Sequence, residues 1–340
     1  MKKILVAAVA ALAASPLFAF QEPKPDWVDG ASMEYPREKF LVGVGIADDR
    51  QSAQDRARAE IAKIFSTTVQ VESNVTESES NKTAGGATQN NFEQNVSENV
   101  QTASKKVLEG VDVVENWQDP ATRSYYALAV LDRAKAILTI NDHIASLDKQ
   151  ASQLKDDMDK ATEKLPKVKA ALKLLAVMKF RNNLNGELRV LDESGKSIPN
   201  PLDETVIRPA ASKAISELDV VVAMSGEPAK QVESGVIKGL SDFGLQAKKG
   251  AADSAADITI EGSVETKQMQ GDGSRWQWAR STVNLSLKDG KTAKVIGQFD
   301  LSDREASADY TEAVRRTHVA LAKKVAQQVN DSVTTYFENQ

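Results

Sequence analysis

The chain has 340 residues, 41% hydrophobic and 27% charged, which is the balance of a globular protein with room for two domains. Its formal charge of −5 argues against nucleic acid or anionic lipid as a partner, because both are bound by cationic neutralisation of phosphates. It has no cysteine, which excludes disulfides, thiol catalysis and lipid attachment at cysteine; with two histidines, His143 and His318, a zinc site would need mostly carboxylate ligands, so no metal or cofactor is expected.

The first stretch, MKKILVAAVAALAASPLFAF, reads as an export signal. Lys2 and Lys3 form a positive start, and Ile4 to Ala14 is an apolar run too short to span a bilayer. Cleavage after Ala19 makes residues 1–19 a signal peptide and the mature chain periplasmic or secreted. Removing the two lysines takes the formal charge from −5 to −7. No second long apolar run follows, so no stable transmembrane segment is expected.

Pro23, Pro25 and Pro36 then mark an extended approach, in which Trp27 reads as a lid on the first core. Phe40 to Ile46 predicts a buried strand, and Asp48 or Asp49 caps a helix whose inward stripe is Ala53, Ala57, Ile61 and Ile64. The strand's Gly43 and Gly45 raise the question of a phosphate loop. Asp48 occupies the third glycine position of a dinucleotide fingerprint, and Asp49 lies beside it. Two carboxylates at a helix N-terminus repel a phosphate there. The two glycines instead permit close approach of a packed element.

Thr67 to Val75 suits a strand, 77–91 a Gly-, Ser- and Asn-rich loop, and Phe92 to Val100 a returning strand. Val107 to Trp117 and Tyr125 to Leu131 are further strands, turning at Gln118-Asp119-Pro120. The first domain is expected over 20–133 as β-α-β-β-β-β.

From Ile140 a heptad runs through Ile144, Leu147, Ala151, Leu154, Met158, Ala161, Leu165, Val168, Leu172 and Leu175. Pro166 interrupts it, which predicts two helices, about 132–163 and 166–191. This coiled-coil-like hairpin over 134–191 reads as a spacer, or as a seam for a homo-oligomer.

The remainder, 192–340, predicts a C-terminal α+β domain. Its elements are a helix over 203–217, a strand at 218–224 and a helix over 229–243 stopped by Gly244. A meander follows, turning at Gly271-Asp272-Gly273 and again, tightly, at Asp289-Gly290; a last helix over 309–336 points Val314, Val319, Leu321, Val325 and Val329 inward. The fold class is α+β: two small α/β-sandwich-like domains joined by a long helical hairpin.

Constellations for chemistry are sparse. His143 precedes a heptad residue and suits a solvated face; His318 follows Arg315 and Arg316 and suits a surface. Acidic pairs lack the apolar background that raises a carboxyl pKa. Trp276 and Trp278 form one conspicuous pair, placed by alternation on one strand face and flanked by Arg275 and Arg280. Such a face can stack a sugar or anchor a protein, or cover the sheet where a helix packs.

Pro25-Asp26-Trp27, the strand FLVGVGIA and the helix SAQDRARAEIA together resemble the Lpp-twenty (LPP20-like) family of bacterial surface lipoproteins, over about 25–135. Residues 203–336 resemble more loosely the small α/β domains of periplasmic envelope-assembly proteins. The resemblance implies a non-enzymatic envelope protein, often attached to the outer membrane. The missing lipobox cysteine favours a soluble periplasmic or secreted form. The leading expectation is an adaptor for envelope proteins, using the Trp276/Trp278 face, the 72–104 arms and the hairpin. Alternatives are a peptidoglycan- or glycan-binding module built on the tryptophans, and a cell-wall hydrolase with two carboxylates about 5–10 Å apart.

Overall fold

The computed structural model describes residues 23–30, 32–64, 109–226, 230–251, 255–269 and 275–339. The expected signal peptide, the strands expected at 67–75 and 92–100, and the arms, loop and turn expected at 72–104, 77–91 and 271–273 lie outside them. Within the described residues the chain is mixed α+β, with six α-helices and two sheets. It divides into two compact units; Trp27 to Ile61 and Asp112–Val130 fall in the first, and Leu131–Gln340 in the second.

The first unit holds a short 3-10 turn, Asp26–Asp29, strand β1 (Phe40–Ala47), most of helix α1 (50–64), strand β2 (Asp112–Gln118) and most of β3 (Tyr125–Asp132). Its sheet has the order β1-β3-β2, with β2 and β3 antiparallel and a bulge between Val113 and Glu115. The two glycines of β1 do what the sequence implies. A β-carbon on Gly43 would collide with the Ala57 carbonyl, and one on Gly45 with the Ala53 carbonyl, so α1 lies directly on the strand backbone. Asp49 caps α1, its Oδ1 accepting from the Ser52 amide at 2.9 Å. Ala53, Ala57 and Ile61 are buried, but Ile64 is 37% exposed and does not complete the stripe. Trp27 is 1% exposed and packs with Trp117, Leu128 and Val130. Its Nε1 donates to Glu115 Oε2 at 2.6 Å, so the ring covers this core and its one donor is satisfied.

The second unit begins with α2 (Arg133–Lys160) and α3 (Lys164–Leu191). Pro166 is the third residue of α3, where the amide it lacks has no intrahelical acceptor to lose. The two helices run antiparallel. Arg133 reaches the Val190 and Leu191 carbonyls, and Asp148 meets Arg181. The heptad residues Ile140, Ile144, Leu147, Ala151 and Met158 of α2 are buried. Helix α3 is covered on two sides: Ala171, Leu174 and Met178 pack with Ala151 and Met158, whereas Leu165, Val168 and Leu172 enter the core of the second sheet.

That sheet follows α4 (Glu204–Ser216) and contains β4 (Val220–Ser225), β5 (Ala247–Lys249), β6 (Ile258–Met269), β7 (Gln277–Asp289) and β8 (Val295–Ser307). Helix α5 (Lys230–Phe243) connects β4 to β5, and α6 (Tyr310–Asn339) closes the chain. The order is β5-β4-β6-β7-β8; β4 is parallel to both its neighbours and the rest is an antiparallel meander. The short strand β5 carries no pattern that sequence reading picked out. Its core joins Val232, Val236 and Leu240 of α5 and Leu321, Val325 and Val329 of α6 to Ile260, Val283 and Leu285. Gly235 and Gly239 face the Ala322 and Ala326 carbonyls too closely for a β-carbon, which seats α5 against α6. Gly244, at φ 99°, ends α5 with its amide on the Leu240 carbonyl, as its position after the helix implies.

Two expectations fail here. Val319 is 38% exposed, while Thr317 and His318 turn inward. Val319 is two residues from the buried Leu321, and residues two apart lie on opposite sides of a helix. The β7–β8 turn is also not closed at Asp289-Gly290. The Asp289 amide donates to the Lys294 carbonyl at 2.9 Å, and the left-handed residue is Ala293, at φ 56°.

Candidate functional site

The pleat of the second sheet separates two chemistries. Ala279, Ser281, Val283, Leu285 and Leu287 of β7 are buried on the helix side. Trp278, Arg280, Thr282, Asn284, Ser286 and Lys288 alternate with them and form the outer side, where Arg280 and Asn284 are exposed. Register then fixes the neighbours. Met269, Trp278 and Ala306 lie side by side across β6, β7 and β8. The next row on the same side is Lys267, Arg280 and Arg304, all exposed. The row after is Glu265, Thr282 and Ser302.

Three cations thus stand directly opposite one another. Lys267 Nζ is 2.8 Å from Glu265 Oε1. Arg280 donates to Ser302 Oγ at 3.4 Å, and the Arg304 guanidinium lies over the Trp278 ring, 5.9 Å from its centroid. Among the described residues, neither arginine forms an ion pair with a carboxylate. Of the residues singled out by sequence, Trp278 and Arg280 come together on this face. Trp276, 54% exposed, and Arg275, also exposed, precede β7, so strand alternation does not set their direction. Lys267 and Arg304 were missed. Lys267 could not have been found by counting back through a turn centred on Asp272, which sets Val264 opposite Arg280. Nor could Arg304, because a turn closed at Asp289-Gly290 would set Phe299 opposite Arg280.

The histidine expected at a surface is a core residue. His318 is 1% exposed, with Nε2 2.8 Å from Thr266 Oγ1, which is 2.9 Å from Ser281 Oγ. Burial pushes its imidazole down from the usual value, which keeps it neutral. The Ser-Thr-His chain superficially resembles a nucleophile relay, but Ser281 is fully buried and no substrate reaches it.

The shifted carboxylates serve turns and caps. Asp49 is held low by the Ser52 side chain and amide, and Asp119 by the Ala121 amide and the Thr122 hydroxyl. Glu312 is held at about 2 by Arg315 and then Arg316. A glycosidase acid needs the opposite shift. A groove of about 840 Å³ between α5 and α6 contains Asp242 and Asp331, each bonded one turn away on its own helix, to Lys238 and to Gln327. Among the described residues no three His, Asp or Glu side chains cluster as metal ligands, and no helix is long and apolar enough to cross a membrane.

Comparison with known proteins gives one family. Residues 25–132 match the LPP20 lipoprotein family, as the Trp27 approach and the FLVGVGIA strand imply. No curated protein sequence matches. Among solved structures, a secreted protein from Helicobacter pylori is similar at 12% identity and a TM-score of 0.45, over 85% of this chain and 97% of that one. A minor lipoprotein from Acinetobacter baumannii is similar at 13% identity and a TM-score of 0.27, over 34% of this chain and 92% of its own. A lipoprotein from Neisseria meningitidis is similar at 13% identity and a TM-score of 0.24, over 34% and 99%.

Proposed function

We propose that this chain is an exported, non-catalytic protein of the bacterial cell envelope that works by binding, with the outer side of its second sheet as the interface. The observation that carries the reading is the patch of Trp278, Arg280, Arg304 and Lys267, on a sheet whose other side takes the packing helices. The family match over 25–132 supports the envelope setting, and the apolar leader supports export. The division into two units, the second offering this face, supports an adaptor role in holding envelope components together. The heptad residues of α2 are buried within the chain, so they are not free to make a dimer seam, which leaves the sheet as the stronger interface.

Co-sedimentation with purified envelope fragments tests the reading. The mature chain, from residue 20, should pellet with them, and a Trp278→Ala/Arg280→Ala variant should stay in the supernatant. Failure of the unmodified chain to pellet overturns envelope binding. Equal pelleting of both overturns this interface.

A further inference from the structure

We infer that the Lys267, Arg280 and Arg304 row, with Trp278 beside it, is a binding site for a carboxylate-bearing glycan of the cell-wall type. The inference rests on the binding reading above and names the ligand of the same face.

The row itself is the first argument. Residues directly opposite on antiparallel strands hold their β-carbons about 4.5–5.5 Å apart, and like charges there are destabilising. Here three cations are placed so across three strands, with only Glu265 bonded among them. This local concentration occurs on a chain whose formal charge is −5, so it is not a consequence of a basic composition. An anion seated over the row relieves the repulsion, and a guanidinium offers a planar pair of donors that fits a carboxylate.

The surroundings choose the kind of anion carrier. The rows beyond carry Glu265, Thr282 and Ser302, then Ser263, Asn284 and Asp300, a surface of hydroxyls, an amide and two carboxylates that can bond sugar hydroxyls. The large apolar side chains at this end of the face are Trp278 and Met269. Protein hot spots need a desolvated apolar centre, which this face lacks. An indole ring next to paired cations instead suits a pyranose with an acidic group: the ring takes the apolar face of the sugar and the cations take the carboxylate.

Titration calorimetry with soluble peptidoglycan chains tests this, using the same chains with their carboxyls amidated and a poly-glutamate of matched charge. The mature chain should bind the native chains, more weakly as salt rises. Amidation, or the Arg280→Ala/Arg304→Ala pair, should each weaken binding at least about tenfold, the loss expected for charge-assisted hydrogen bonds. Arg280→Lys/Arg304→Lys should recover part of it, by restoring charge without the planar donors. Lys238→Ala, which removes a cation from α5, should bind as the unmodified chain does, and circular dichroism checks that each variant folds. Absence of binding, or indifference to amidation, overturns the inference. Equal affinity for poly-glutamate overturns it in favour of an acidic polypeptide partner. Pelleting with envelope fragments that the Trp278→Ala/Arg280→Ala variant loses, without glycan binding, removes this inference and leaves the broader reading standing.

Discussion

At position 318 an imidazole sits under the sheet with one hydroxyl partner, Thr266. Desolvation lowers its pKa in the folded chain, whereas the unfolded chain restores about 6.5. Below that value the unfolded state therefore binds more protons than the folded one. The sign is that stability is complete above about pH 6.5 and is lost as pH falls toward the lowered folded value. Urea midpoints for the second unit should accordingly drop between pH 7.5 and pH 5. His318→Gln should lower stability at pH 7.5 yet make the drop shallower; an unchanged pH slope in that variant would show that other groups cause it. The residue was misjudged because Arg315 and Arg316 suggested a surface. Counting back in fours from Val329 and Val325 through Leu321 reaches Thr317, and that would have placed the 317–318 pair inward.

Among the elements, the α2 and α3 pair turns on Arg181. It is 1% exposed, its Nε lies 2.5 Å from Asp148 Oδ1, and its Nη2 donates to the Ile198 and Pro199 carbonyls. One side chain thus ties α2, α3 and the segment leading to α4. Arg181→Met keeps much of the volume but strands those acceptors. The cost of breaking a buried pair is about 3–5 kcal/mol, and the 24% exposure of the Asp148 side chain reduces it here to about 2–3 kcal/mol. Urea unfolding followed by helix signal would reveal this, and a change below about 0.5 kcal/mol would mean that Arg181 contributes mostly through packing.

The same elements show what sequence could yield. The heptad and Pro166 gave both helices, because burial of one stripe and the geometry of proline are local facts. That α3 also enters the sheet's core depends on Leu165, Val168 and Leu172 meeting residues far along the chain, which periodicity cannot show. The β7–β8 hairpin was partly legible. DPATRS and DGKTAK share an Asp and a Thr at the same spacing, and both fold as a four-residue loop with a left-handed residue, Arg123 or Ala293. Reading Asp289-Gly290 as a two-residue turn changed the register of β8, and with it hid Arg304 from the site. The Trp278 and Arg280 pairing needed only strand alternation, so it was visible from the start.

For the molecule as a whole, the tryptophans divide evenly between the two units. Trp27 and Trp117 are buried in the first, while Trp276 and Trp278 belong to the second. Helix content divides unevenly, since α1 is the described helix of the first unit and α2 to α6 belong to the second. A Trp276→Phe/Trp278→Phe variant therefore reports the first unit by fluorescence and mostly the second by far-UV circular dichroism. Among the described residues the first unit buries fewer and smaller apolar side chains, many of them alanines such as Ala53, Ala57, Ala127 and Ala129 beside Trp27, Trp117, Leu128 and Val130, than the cluster that spans α3 to α6. Stability grows with the apolar surface a unit can bury. The fluorescence transition should then come at lower urea than the dichroism transition, and the two curves should not superimpose. Superimposed curves would mean one cooperative block, because coincidence of independent probes is the mark of two-state unfolding. In that case a ligand on the Trp278 face would stabilise the LPP20-like unit as well. If the curves separate, such a ligand raises only the dichroism midpoint.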